Sequence, residues 1–202
     1  MTELERRLSD SAPANLDPAR VMAELSKRAQ VAGILDVAYA TLDSPLGELL
    51  VAVTPRGLVR IAYPGGGDDA VLAELAERVS PRVLLAPERT DAVRRELDEY
   101  FNGERRKFST PVDWSLVHGF AQGVLRATAR VPFGETATYR QVAEAAGSPR
   151  ASRAAGNALG SNPIPIVVPC HRVLHSGGGL GGYSGGLERK RALLTIEGVL
   201  DA

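Results

Sequence analysis

The chain has 202 residues, 44% hydrophobic and 24% charged, with 24 Lys and Arg balanced by 24 Asp and Glu. This is ordinary globular usage, which excludes disorder as the default and leaves room for one sizeable core or two small ones. No run approaches the roughly 18 apolar residues of a membrane span, and the charged start Met1-Thr-Glu-Leu-Glu-Arg-Arg has no apolar segment behind it, so a cytoplasmic location without membrane contact is expected. The zero net charge conceals a polarity: residues 111–202 carry nine Lys or Arg against six Asp or Glu, and residues 1–110 fifteen against eighteen. An anionic partner should prefer the second half through a few local contacts.

In chain order, residues 1–35 read as an extension, with a helix starting behind Asp17-Pro18 and running over Val21, Met22, Leu25 and Ala29. Val37 to Leu42, Gly47 to Val53 and Leu58 to Tyr63 are short β-rich runs separated by turn signals, and they predict a small antiparallel meander. Helical spacing follows at Val71, Leu72, Leu75 and Val79, and again from Thr90 through Tyr100 until Asn102-Gly103. The stretch Glu104 to Asp113 has linker composition, and the charge balance changes sign across it. The predicted organisation is therefore an extension over 1–35, an α/β domain over 36–108 and a mainly helical domain over 112–202.

In the second domain Leu116 to Val131 reads as a helix, Tyr139 to Ala146 as a short one, and Arg150 to Leu159 as an alanine-rich one behind the tight turn Gly147-Ser-Pro149. The last two have helix-turn-helix proportions. Three prolines in Ser161-Asn-Pro-Ile-Pro-Ile-Val-Val-Pro169 forbid helix and predict an extended segment. Seven glycines surround Tyr183 and Ser184 between Ser176 and Leu187, and a helix over Glu188 to Ile196 closes the chain.

Two motif matches in the glycine loop fail on context. Gly177, Gly179 and Gly182 satisfy G-x-G-x-x-G without a βαβ unit around them. Gly182-Tyr-Ser184-Gly-Gly186 satisfies a nucleophile elbow, but all three histidines precede the serine. Cys170 is the single cysteine, which rules out an intrachain disulfide and, with only His118, His171 and His175, a zinc finger; no metal is expected. Its setting, Pro169-Cys170-His171-Arg172-Val173, suits chemistry, because an imidazole beside a thiol can take its proton while a carboxylate orients the ring. Glu197 is the later carboxylate best placed for that task; the alternative is an inert, buried cysteine.

The segment Asn162-Pro-Ile-Pro-Ile-Val-Val-Pro-Cys-His-Arg-Val173, followed by Gly182-Tyr-Ser-Gly-Gly-Leu187, resembles the active-site signature of the O6-alkylguanine-DNA alkyltransferases. The resemblance extends through Val131-Pro-Phe-Gly-Glu-Thr-Ala-Thr-Tyr139, Arg153-Ala-Ala-Gly-Asn-Ala-Leu159 and Ile196-Glu-Gly198, covering roughly residues 36 to 200 and most strongly those beyond 115. It implies an α/β N-terminal domain with a small antiparallel sheet, and a mainly helical C-terminal domain containing a helix-turn-helix. The implied activity is cofactor-free, single-turnover repair of O6-alkylguanine, with O4-alkylthymine as a second substrate class, in double-stranded DNA by a monomer.

Carried over by position, the resemblance makes Cys170 the acceptor, His171 its base through water, Glu197 the orienting carboxylate and Tyr139 the donor that neutralises the departing guanine. The Ser184 region would bond O6, the main chain at Cys170 and Val173 would read the exocyclic amine, and Tyr183 would wall the substrate pocket, to which Gly185 also belongs. Arg153 would fill the space left by an extruded base, the small residues Ala151 and Ala154 would let its helix lie in a minor groove about 6 Å wide, and Asn162 would support the active-site segment. Two rival readings are a sensor that flips the damaged base without repairing it, against which Cys170 argues, and a cysteine hydrolase, which would turn over repeatedly.

Overall fold

The computed structural model describes residues 35–63 and 67–201, together with single positions between 17 and 33. The predicted N-terminal helix falls partly outside these, since Pro18, Met22 and Leu25 are not among them; the Val21 amide donates to the Asp17 carbonyl at 3.0 Å, and Ala29 is buried. Three strands follow as expected, β1 (Val37–Leu42), β2 (Leu49–Thr54) and β3 (Gly57–Ala62), paired antiparallel in the order β3-β2-β1.

The meander is nevertheless only part of the sheet. After helix α1 (Asp68–Arg78), the three residues of β4 (Val83–Leu85) pair parallel to β1, so the sheet is mixed rather than purely antiparallel. A strand of three residues has too few positions to display a period-two pattern.

Both faces of the sheet are covered, which explains why every residue of central β2 is buried. Leu50 and Ala52 face Val71 and Leu75 of α1, whereas Leu49, Val51 and Val53 belong to the larger core with Val93, Leu97 and Tyr100 of α2 (Pro87–Phe101). Alternate side chains of a strand point to opposite faces, so a strand between two helical layers becomes apolar throughout.

The segment of linker composition is stitched down instead of loose. Leu58 exchanges main-chain bonds with it, its amide donating to the Pro111 carbonyl and its carbonyl accepting from the Asp113 amide, each at 2.8 Å. Glu96 of α2 accepts from the amides of Ser109 (2.9 Å) and Thr110 (3.1 Å). Beyond it lie α3 (Gly119–Thr128), β5 (Ala137–Thr138), α4 (Tyr139–Ala145), α5 (Ser152–Gly160), β6 (Val173–Leu174) and α6 (Leu187–Ile196). Helix α3 is shorter than its apolar pattern suggested, because the chain before it turns at Trp114–Val117 and enters the helix through Gly119 at φ +58°. One continuous core runs from the sheet through Tyr100 to Leu125, Ile164, Val168 and Leu193. No described helix is long and apolar enough to cross a membrane.

Candidate active site

The segment that delivers Cys170 is compact where its prolines predicted extension. The Val168 amide donates to the Ile164 carbonyl at 2.9 Å and the Cys170 amide to the Val168 carbonyl at 2.8 Å, and Cys170–Arg172 form a single 3-10 turn. Proline forbids helix but not turns, and here Asn162 supplies the missing partners. Its Oδ1 accepts from the Ile164 amide at 3.0 Å, while its Nδ2 donates to the Val168 carbonyl at 2.8 Å and to Cys170 Sγ at 3.1 Å. The tight path forces Ile166 to φ +73°, a left-handed conformation that costs a β-branched residue on the order of 1–3 kcal/mol and that full burial and the Asn162 bonds hold in place.

A two-residue parallel pairing brings Tyr139 to the thiol. Ala137 and Thr138 of β5 lie opposite Val173 and Leu174 of β6, so the residue just after β5 and the turn just before β6 sit side by side. Thr138 then starts α4 through a reciprocal capping box with Gln141, which makes Tyr139 the first residue of the helix. The Tyr139 ring packs on His175, centroids 5.1 Å apart, and its hydroxyl is bonded by the Gly182 backbone. Gly181, at φ +69°, permits this approach, since a Cβ there would collide with that hydroxyl.

Behind Cys170, Glu197 gathers four donors. His171 Nε2 lies 2.8 Å from Oε1, the Tyr100 hydroxyl donates to Oε1 at 2.7 Å, and Arg172 donates through Nε to Oε2 and through Nη2 to Oε1, both at 2.8 Å. These bonds and the Arg172 charge outweigh the burial that would raise the carboxyl pKa, and hold it at about 2. An ionised carboxylate only accepts, so Nε2 carries the imidazole proton and Nδ1 presents a lone pair. Nδ1 is buried and has no hydrogen-bond partner among the described residues. Burial keeps His171 neutral by lowering its pKa, against the pull of Glu197. Burial also raises the Cys170 thiol, opposed by the Asn162 bond, the Lys190 charge and the backbone bonds at Cys170 and His171, so a base must draw its proton.

The thiol lines a cavity of about 220 Å³ with Gly156, Leu159 and Gly160 of α5 and Gly182, Tyr183 and Ser184 of the glycine loop. Tyr183 and Ser184 thus share the cavity with Cys170. Val173 and Gly185 do not line it: the Val173 side chain is buried and Gly185 lies behind the Tyr183 ring. Arg153 and Ala154 are exposed on the first turn of α5, and Ala151 is half-buried at its N-cap.

Four contributors were not singled out from the sequence. Tyr100 read as a core position of a helix, and only its hydroxyl distinguishes it. Arg172 lies within the signature, yet nothing local says that it grips a carboxylate 25 positions away. Lys190, wholly buried with a pKa lowered to about 8 by that burial, donates to the carbonyls of Val173 (2.7 Å) and Leu180, fastening the glycine loop to β6. Tyr63 immediately follows β3, and its hydroxyl lies 2.6 Å from that of Tyr183.

Residues 37–114 match the family model described as the ribonuclease-like domain of 6-O-methylguanine DNA methyltransferase, and residues 119–199 the one described as its DNA binding domain. The methylated-DNA-protein-cysteine methyltransferase of Mycobacterium tuberculosis is 38% identical over 159 residues, covering 79% of this chain and 91% of its own. The Homo sapiens protein of the same name is 40% identical over 166 residues, covering 78% and 79%. A crystal structure of the Mycobacterium tuberculosis protein OGT in complex with DNA superposes with a TM-score of 0.67 at 37% identity, covering 79% of this chain and 92% of that one.

Proposed function

The chain belongs to the 6-O-methylguanine DNA methyltransferase family, and from that premise we propose that it moves the alkyl group of O6-alkylguanine in duplex DNA irreversibly onto Cys170, once per molecule. It is a methylated-DNA-protein-cysteine S-methyltransferase of DNA repair. The observation that carries the assignment of roles is His171: neutral, fixed on Glu197 through Nε2, with Nδ1 unpartnered among the described residues and next in sequence to a buried thiol that lines a cavity.

In the reaction, His171 Nδ1 takes the Cys170 proton through a water. The Sγ electron pair forms a bond to the alkyl carbon, the carbon–O6 bond breaks, and its electron pair leaves with guanine. Asn162 Nδ2 steadies the thiolate. Burial and the neighbouring Cys170 raise the Tyr139 phenol pKa and keep it protonated, against the opposing bond from the Gly182 backbone, so the Tyr139 O–H bonds the guanine as charge develops. The thioether has no leaving group, so the molecule stops after one transfer.

The alkylated atom is inside the base stack, so the base is extruded, at a cost of a few kcal/mol, into the cavity between α5 and the glycine loop. Helix α5 lies in the minor groove through Ala151 and Ala154, and exposed Arg153 fills the vacated stack. Incubating a limiting amount of protein with a duplex bearing one O6-methylguanine tests this reading. It predicts guanine restored up to one equivalent per chain, and none with Cys170→Ser. Continued turnover contradicts it in favour of a hydrolase, and tight binding without restoration in favour of a sensor.

A further inference from the structure

Among the described residues Tyr183 is the only aromatic side chain lining the Cys170 cavity, and the residue that follows β3 holds its outer edge. The Tyr63 and Tyr183 rings meet edge-on, centroids 6.1 Å apart at 63°, with their hydroxyls in a 2.6 Å hydrogen bond. Burial raises both phenol pKa values, so the bond joins two neutral hydroxyls across a neutral pH range. On its other side the Arg189 guanidinium lies 5.0 Å from the Tyr63 ring centroid, and it donates to the carbonyls of Leu46 (3.0 Å) and Gly185 (2.9 Å). Gly185 leaves no slack, because a Cβ there would stand 2.6 Å from Tyr63 and 2.9 Å from Tyr183. Strand β3 is itself tied to the active-site segment, since the Ile61 amide donates to the Pro163 carbonyl at 2.9 Å.

The structure assigns Tyr63 as a positioning residue that fixes the Tyr183 ring and thereby selects which alkyl groups the Cys170 cavity accepts. This rests on the transfer reaction proposed above. A methyl group is too small to need the aromatic wall, whereas a flat, bulky group such as benzyl must stack against it. With phenylalanine at position 63 the packing persists, but the Tyr183 hydroxyl loses its partner in a half-buried place and its ring loses its orientation. A residue at the end of the N-terminal sheet's last meander strand, just beyond β3, therefore sets the substrate range of a site whose acceptor thiol lies in the second half of the chain.

The test compares single-turnover rates on duplexes carrying O6-methylguanine and O6-benzylguanine in the same sequence. For Tyr63→Phe the benzyl rate falls about fivefold more than the methyl rate, within the roughly twofold to tenfold effect of one buried hydrogen bond. Tyr183→Phe shifts the ratio in the same direction, and the double substitution shifts it no further, because both remove the same bond. Equal slowing on both substrates overturns the assignment, since a merely structural tyrosine would act that way; additive shifts in the double variant overturn it as well. If the unaltered chain transfers neither group, the transfer reading itself fails and this assignment with it; if it transfers both and the ratio does not move, the assignment alone fails.

Discussion

Replacing Glu197 by glutamine keeps the shape of the hub and removes its charge, leaving Arg172 buried opposite a neutral amide. Breaking one partner of a buried ion pair costs roughly 3–5 kcal/mol. The carboxyl pKa gives an independent figure: its fall from an ordinary 4.5 to about 2 on folding corresponds to about 3 kcal/mol of stability. Because the folded-state value is the lower one, this stability is complete above pH 4.5 and fades as the pH drops toward 2. At pH 3 less than half of it remains. Urea unfolding of both proteins from pH 7 to pH 3 should show a gap of about 3 kcal/mol at pH 7 that shrinks by about 2 kcal/mol at pH 3. At neutral pH the melting temperature should drop by on the order of 10 °C for a chain of this size. A gap that stays the same at both pH values would refute the electrostatic account and make Glu197 a packing residue.

The transfer rate should stay flat as the pH falls through 6.5 and decline only below it, because His171 resists protonation; a half-maximal rate at or above pH 6.5 would contradict a neutral, buried base. Arg153→Ala should slow repair of a duplex at least about tenfold more than reaction with free O6-benzylguanine, since only the duplex requires extrusion; equal slowing in parallel rate measurements would contradict the proposed role. Asn162→Ala should reduce transfer on every substrate by about tenfold or more and lower the melting temperature, as it removes the Nδ2 bonds to Sγ and to the Val168 carbonyl together; a rate within twofold of the original would remove Asn162 from the site.

Legibility in the sequence follows the range of the interactions involved. Strands β1 to β3 and helices α2, α4, α5 and α6 stand close to where apolar spacing and turn residues put them, because those signals act over a few positions. The short strand β4 and the β5–β6 pairing escaped, since two or three residues hold no period and their partners lie far along the chain. The resemblance supplied the candidate residues, and the fold bonds Asn162 to Cys170 and His171 to Glu197, with Tyr139 near enough to Cys170 to feel its charge. What it did not reveal are the residues that act at a distance. Tyr100 reaches Glu197 across 97 positions and Tyr63 reaches Tyr183 across 120, each through a single hydroxyl on a side chain that otherwise reads as apolar packing. Lys190 is concealed for the opposite reason: a lysine in a helix that begins Leu187-Glu-Arg reads as a solvated charge, and only the fold shows that the carbonyls of Val173 in β6 and of Leu180 and Gly182 in the glycine loop surround it.

The central claim is that Cys170 itself becomes the permanent acceptor. The most direct measurement is intact-protein mass followed by peptide mapping after incubation with excess duplex carrying one O6-methylguanine. The account predicts one added methyl group per chain, located on Cys170 and absent in Cys170→Ser. An unchanged mass, or a methyl group on any other residue, would contradict it.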